Sequence, residues 1–509
     1  MAAPIETELK FAIDSPGLKR LQDHPLFKNA VEKKVLTLDS SYFDTTEESL
    51  RKAGISLRLR KGEAPTPIQT AKFSGKQTIG LMARTEVNAP LPARRTSPDL
   101  SAFPSDIAAA IEKACGGQPL ERQFRIVVER HEAEIHLEDS AVVSLALDDG
   151  KVVIGRKSHA FQEVEFELKE QTPEALFALA KKMLPGLSIR LAGGSKATLG
   201  YRMKAGDLED LAAPEPASLP ALDGDMTVET ALGACLRSCV GQIAANAAAV
   251  IDSADPEGPH QLRVGLRRLR STLLAFRPVM DWTKARVLDE EAKRLATIVG
   301  ELRDIDVLID EIIGPLKDRV DVTGLVALLE RRRERLRADV RSVIAGTDGT
   351  TFLIDLTEFT ECREWRNGFD EALAYRLLPF AKNAIARQQE RIAKYTDRLA
   401  DLTAEERHSL RKAYKKLRYL LDFFAPVIGG KAMRKLLAKT KEVQDHLGYM
   451  NDVVMAEKLH TLVAEEGDRA ETPGDPKERL HAAHAVGFIL GWHCAQAERE
   501  WKKVVKLLG

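Results

Sequence analysis

Cysteine is scarce in this chain. Five occur in 509 residues, at 115, 235, 239, 362 and 494, odd in number and without the spacing of a metal cluster, which argues against a disulfide framework or a zinc site and for a reducing compartment. Cys235 and Cys239, four apart in an alanine-rich stretch, read as small buried packers. Aromatic residues make up only 6%, and none interleaves with the basic runs as a base-stacking ladder would. No charged segment followed by an apolar core opens the chain, and no unbroken run of about 18 apolar residues occurs, so neither secretion nor membrane spanning is expected and the expected location is the cytoplasm.

Charge excess is missing too. The chain holds 76 Lys+Arg against 76 Asp+Glu, and residues 1–224 hold 30 and 32 of them, leaving 46 and 44 for the remainder. Neither half has the domain-wide positive excess of a nucleic-acid binder, so nucleic acid is an unlikely partner, while a local groove for a narrow polyanion stays open. At 44% hydrophobic and 30% charged, the chain is ordinary for a globular protein, and its length calls for more than one core.

What is present is charge at strand spacing. Glu6, Glu8 and Lys10 alternate in one run and Glu163, Glu165 and Glu167 in another. Alternate residues of a strand share a face, so each run aims its charges one way while Leu9 and Phe11, or Val164 and Phe166, line the other. Carboxylates so placed repel one another unless a cation sits among them, and a hard divalent ion such as Mg²⁺ or Mn²⁺ suits oxygen ligands. Between the runs the opposite sign takes the same spacing: Arg58 and Arg60, Lys72, then Arg84 with Glu86, followed later by Arg130, Arg190 and Lys196. A pocket combining a carboxylate-held metal with guanidinium and ammonium groups suits a phosphate chain.

The order of these runs, with Tyr42-Phe-Asp44, Asp148 before Gly150 and Ser195-Lys-Ala197, resembles the CYTH family of triphosphate tunnel metalloenzymes across about residues 3–204. The resemblance implies eight antiparallel strands closed into a tunnel. It implies Glu6, Glu8, Glu163, Glu165 and Asp148 as metal ligands, with Glu86 near them. It further implies Arg58, Arg60, Arg84, Arg130 and Lys196, with Arg190 assigned beside them, on the triphosphate, and Lys10 and Lys72 on phosphate oxygens or the attacking water. By the chemistry of the charges, the expected base is Lys10 or Lys72, its pKa lowered by neighbouring cations, or a metal-bound hydroxide. Two positions depart from the family pattern, Asn88 where an acid is usual and Leu199 where an arginine is common.

A Pro/Ala-rich stretch over 205–224 reads as a linker, and beyond it the periodicity is helical, with an internal repeat. His260-Gln-Leu-Arg-Val-Gly-Leu-Arg-Arg-Leu-Arg270 recurs as His408-Ser-Leu-Arg-Lys-Ala-Tyr-Lys-Lys-Leu-Arg418, and Gly300 and Gly448 stand 40 residues beyond each histidine. Two related bundles, about 225–370 and 371–509, are expected. On a helix His260, Arg263, Arg267 and Arg270 form one stripe, as do His408, Arg411, Lys415 and Arg418, and neither segment contains an acid, which points to a polyanion. With Arg303-Asp-Ile-Asp-Val307 and Gln444-Asp-His-Leu-Gly448, residues 225–509 resemble the CHAD family, which implies inorganic polyphosphate along those stripes. Asp304, Asp306 and Asp452 read as structural acids that cap helices or pair with arginines.

The expectation is therefore a multidomain α+β and all-α protein: a metal-dependent inorganic triphosphatase, using Mg²⁺ or Mn²⁺, joined to a polyphosphate-binding domain and placed in the cytoplasm or at polyphosphate granules. The alternatives are a non-catalytic polyphosphate receptor or scaffold, and the thiamine-triphosphatase or adenylate-cyclase activities of the same tunnel.

Overall fold

The computed structural model describes residues 5–77, 81–137, 141–169, 172–191, 194–208, 213–469 and 476–508. By compactness the chain divides into Met1–Ala213 with Ala247–Ser253 and Ile344–Cys362, and Pro214–Asn246 with Ala254–Val343 and Arg363–Gly509. This differs from the linear division expected at 205–224 in assigning two short helical stretches to the first unit. Residues 213–223 have no regular secondary structure.

The first unit is built on β1 (Ile5–Ile13), β2 (Lys33–Asp44), β3 (Ile55–Lys61), β4 (Ile68–Gln77), β5 (Leu81–Pro90), β6 (Glu121–His136), β7 (Val142–Ile154), β8 (Lys157–Leu168) and the three-residue β9 (Ile189–Leu191). The sheet order is β5-β4-β3-β2-β6-β7-β8-β1-β9, every paired neighbour is antiparallel, and β1 also pairs with β5. The eight expected strands thus close into a ring; the ninth extends one edge of β1 beyond the point where β5 leaves it, pairing Phe11 with Leu191 while Leu9 pairs with Leu81.

The ring is apolar outside and polar inside. Leu9 and Phe11 of β1, Val143, Leu145 and Leu147 of β7, and Val164 and Phe166 of β8 are fully buried, although they alternate with Glu8, Lys10, Asp148, Glu163 and Glu165. Helices supply the cover: α1 (Ser15–Asp23), α2 (Ser105–Cys115), α3 (Glu174–Met183) and α4 (Lys196–Ala205). α1 starts on the Asp14 side chain, which accepts from Gly17 N, and α2 stops at Gly116, whose φ of +58° is the left-handed conformation glycine adopts freely. In α3, Ala175, Leu176, Phe177, Leu179 and Ala180 are all buried. Asp44, also buried, accepts from the N–H groups of Thr45, Leu50 and Arg51 and from the Tyr201 hydroxyl at 2.7 Å, tying β2 to α4.

The helical part holds α5 (Val228–Asp252), α6 (Glu257–Phe276), α7 (Trp282–Val307), α8 (Thr323–Ala345), α9 (Thr347–Glu361), α10 (Leu377–Thr396), α11 (Ala404–Ile428), α12 (Gly430–Arg469) and α13 (Pro476–Leu508). The repeat is visible as a local twofold: Val228 N donates to Tyr375 O at 2.9 Å and Leu377 N to Met226 O at 2.8 Å. By length and composition α5 is apolar enough to cross a membrane, with 56% of its most apolar window buried within the protein, where Leu232, Cys235, Leu236 and Cys239 are core. Both cysteines are packers as expected, and burial pushes their thiols up. A π-helical turn, Leu308–Ile313, follows α7 and its Leu308, Ile312 and Ile313 enter the core of the second unit.

Candidate active site

The tunnel encloses a cavity of about 480 Å³. Strand alternation carries Glu8 and Lys10 into it from β1, Arg58 and Arg60 from β3, Lys72 from β4, Glu86 and Asn88 from β5, Arg130 from β6, and Glu165 and Glu167 from β8. Lys196, the first residue of α4, enters from the side; Ser195 caps that helix by accepting from Thr198 N.

Glu165, which lines the cavity, is one corner of a carboxylate triangle. Asp148, Glu163 and Glu165 are buried and offer oxygens within 4.8 Å of one another. Lys196 Nζ lies 2.8 Å from Asp148, 2.8 Å from Glu163 and 2.6 Å from Glu165. Lys10 Nζ is 2.5 Å from Glu165 and 3.6 Å from Glu163. Arg130 grips Asp148 with two bonds of 2.7 Å and reaches Glu165 at 2.5 Å. At Glu165 and Lys196 ion pairing overrides burial: burial would raise the Glu165 carboxyl, yet Lys10, Lys196 and Arg130 hold it well below the usual range, and it would lower Lys196, yet Asp148, Glu163 and Glu165 hold it well above. The donor set fits a hard divalent cation, since all donors are carboxylate oxygens and the buried Glu163 Oε2, despite its ammonium neighbours, makes no hydrogen bond.

The cavity also has a cationic wall. Lys72 pairs with Glu86, and Arg58 Nη2 stands 3.8 Å from the same carboxylate. Arg60 donates to Ser40 at 3.1 Å and to Glu63 at 3.2 Å. Asn88, the amide that departs from the family pattern, donates to Glu86 at 3.0 Å and accepts from Thr70 at 2.7 Å, so it orients an acid rather than being one. Tyr42 was not among the candidate site residues, although its run is part of the motif set. Its buried hydroxyl lines the cavity; burial alone would raise its pKa, but Arg58, Arg60 and Lys196 hold it below its ordinary value.

Three expectations change. Lys10 is not a lowered-pKa base: burial pushes its ammonium down, but Glu163 and Glu165 outweigh burial and hold it above its ordinary value. Lys196, expected on the triphosphate, sits among the carboxylates. Arg190 lies outside the cavity lining, on β9, bonded through its guanidinium to Asp252. The side chains of Glu6 and Arg84 lie outside the described residues, while their backbones pair with each other across β1 and β5. Glu167 lines the cavity and pairs with Lys169 at 2.9 Å.

In the second unit α6 and α11 bring Arg263, Arg267, Arg411 and Lys415 close enough that burial first, then Arg267, Arg411 and Arg263, push the Lys415 amine down to about 6. Arg267 and Lys415 have no ion pair among the described residues. The stripes are not uniformly open: Arg263 pairs with Asp304 at 3.0 Å, Arg270 with Asp289 at 2.9 Å and Arg418 with Asp422 at 2.8 Å. His260 and His408 are both held below the ordinary histidine value by burial, then by Arg303 and by Lys412 respectively. Asp304 is structural as expected, also meeting Lys458 at 2.8 Å. Asp306 has no ion pair among the described residues, and both its oxygens are buried without a hydrogen-bond partner there. Asp452's side chain lies outside the described residues.

Residues 4–200 match the CYTH domain family and residues 234–461 the CHAD domain family. The chain is a CYTH domain followed by a CHAD domain. Among curated relatives, an inorganic triphosphatase of Haemophilus influenzae is 27% identical over 200 residues, 38% of this CYTH–CHAD chain and 54% of that protein, so the chain matches about half of its length. An uncharacterised protein of Mycobacterium tuberculosis is 26% identical over 445 residues, 82% of each chain. Among solved structures, the CHAD domain from Ricinus communis is 29% identical, covering 58% of this chain and 96% of that one at a TM-score of 0.49.

Proposed function

We propose that the CYTH tunnel hydrolyses inorganic triphosphate to pyrophosphate and phosphate, and that the CHAD domain binds inorganic polyphosphate. The observation that carries the catalytic reading is that one cavity is lined both by Glu165, a corner of the buried Asp148–Glu163–Glu165 triangle, and by the cationic Arg58, Arg60 and Lys72. A pure polyanion receptor gains nothing from buried carboxylates that repel its ligand. The relative named an inorganic triphosphatase supports the same reading at low identity.

Asp148, Glu163 and Glu165, with Glu8 beside them, are the residues that would hold Mg²⁺ or Mn²⁺, which when bound screens phosphate charge and acidifies water. The protein's own groups do the rest. Arg58 and Arg60 are guanidinium forks suited to non-bridging phosphate oxygens, and Lys72, on Glu86, adds a point charge. Arg130 holds Asp148 and Glu165 fixed, so the triangle does not reorganise as charge develops. The Tyr42 hydroxyl, beside Arg58, can hydrogen-bond a water or a phosphate oxygen.

In the CHAD domain the Arg263, Arg267, Arg411 and Lys415 cluster is the proposed polyphosphate track, and the cytoplasm or polyphosphate granules the proposed location. The test is phosphate release from tripolyphosphate with and without Mg²⁺ or Mn²⁺, with ATP and thiamine triphosphate in parallel. Metal-dependent release that Glu163→Gln/Glu165→Gln loses supports the reading. Preferred turnover of ATP or thiamine triphosphate reassigns the substrate, and no turnover with polyphosphate binding retained makes the protein a receptor.

A further inference from the structure

The CHAD domain holds a second cavity, about 650 Å³, between α6, α10 and α11. Its cations are Arg277, Arg387, Arg391 and Lys416, and among the described residues no carboxylate lines it. Arg387, Arg391 and Lys416 are exposed and make no hydrogen bond or ion pair among the described residues. Its apolar wall includes Leu274, which is 38% exposed. None of these residues belongs to the Arg263, Arg267, Arg411 and Lys415 cluster.

The duplication supplies a twin for comparison. α5 matches α10 through Val228 and Leu377, Leu236 and Ile385, Ile243 and Ile392, all buried, and α6 matches α11 through His260 and His408. On that match Ser238, Gln242 and Arg268 of the first repeat stand where Arg387, Arg391 and Lys416 stand in the second. In the first repeat these positions hold polypeptide. Ser238 donates to the Ser218 carbonyl, and Arg268 donates to that carbonyl at 3.4 Å and to Gln242 at 2.6 Å. One turn further along α5, Asn246 clasps the Glu215 main chain with bonds of 2.8 and 3.1 Å. An extended segment around Glu215–Ser218 therefore covers the first trough, and the second is open. Phe423, 5.4 Å beneath the Arg268 guanidinium, further fills the first, where its counterpart Ala275 leaves room in the second.

We propose that the open trough of the second repeat docks an extended acidic peptide of a partner protein. The twin shows that this trough shape accepts a polypeptide in extended form. Replacing neutral Ser238 and Gln242 by Arg387 and Arg391 changes the preferred contact from main-chain carbonyls to carboxylates, and the apolar wall selects a peptide over a bare inorganic anion.

A fluorescent peptide with the sequence of residues 207–223, which carries Asp207, Glu209, Asp210, Glu215 and Asp223, is the probe, titrated with the full-length protein and read by anisotropy. Saturable binding is expected, weakened about tenfold or more by Arg387→Glu/Arg391→Glu and by Ala384→Trp, which plugs the trough without changing charge. The same peptide with its acids as amides is expected not to bind. Absence of saturable binding, affinity unchanged by Ala384→Trp, or displacement by equimolar tripolyphosphate each overturns the proposal, the last by identifying a simple anion site. Thermal unfolding of each variant matched to wild type excludes a folding defect as the cause of lost binding.

Discussion

The Lys196 ammonium stands 2.6 Å from Glu165 and 2.8 Å from Glu163, at the point where three buried carboxylates converge. A lysine at the first position of a helix thus balances the charge of the tunnel's acidic wall.

Removing it leaves only Lys10 and Arg130 to offset three buried carboxylates. Breaking a buried ion-pair cluster by deleting one partner costs about 3–5 kcal/mol. Lys196→Met is therefore expected to lower the unfolding midpoint by several degrees, and Mn²⁺ is expected to restore part of the loss in the variant while shifting wild type less. Differential scanning fluorimetry with and without Mn²⁺ reads both; a variant as stable as wild type contradicts the charge balance.

The cationic wall is expected to act on rate. Arg58→Ala should reduce kcat/KM for tripolyphosphate by roughly a hundredfold, the scale seen when a pre-organised donor to developing charge is removed. Asn88→Asp places a second acid beside Glu86 and is expected to raise KM through repulsion of the phosphate chain. Steady-state phosphate release separates the two effects.

Lys415 carries a pH prediction. Its folded value of about 6 lies below the ordinary lysine value of 10.5, so the folded state carries the full penalty below about pH 6, and the penalty shrinks steadily as pH rises from there to the ordinary value. Lys415→Met should accordingly stabilise the protein at pH 7. Polyphosphate on the cluster favours the charged amine, so binding at pH 7.5 should take up a proton. Calorimetry in buffers of different ionisation enthalpy measures this uptake, and Lys415→Met should abolish it.

Asp306 behaves oppositely. Burial, only partly offset by Arg303, Arg333 and Arg337, raises its carboxyl to about 6, so the folded state favours the protonated form. Stability should fall as pH rises from about 4 through 6, by roughly 2–3 kcal/mol from a shift of about two pH units. Asp306→Asn should remove that slope, as urea midpoints at pH 4, 6 and 7.5 will show.

The strand alternation told much of the tunnel in advance. Glu8, Lys10, Glu165 and the Arg58 and Arg60 pair face inward because spacing fixes the face of a strand. Partnership was less legible. Which cation meets which acid depends on register: Arg130 lies opposite Asp148 because β6 and β7 pair at those residues, and Lys196 arrives on a helix, where no alternation announces its direction. Arg190 looked like its neighbours in the motif but sits on a three-residue strand at the edge of β1. In the helical half the stripes were plain, whereas the acids that neutralise Arg263 and Arg270, Asp304 and Asp289, lie on α7, whose angle to α6 no local pattern encodes.

β1 closes the ring by pairing with β5 on one side and β8 on the other. It is therefore the first of the nine strands to leave the ribosome and cannot be seated until β8, some 150 residues later, has been made. At roughly 5–20 residues per second the strand waits on the order of ten seconds or more with its Glu8 and Lys10 in water and its Leu9 and Phe11 uncovered. The carboxylates of β7 and β8 consequently meet before β1 arrives, and only ring closure brings Glu8 and the counter-charge of Lys10 to them.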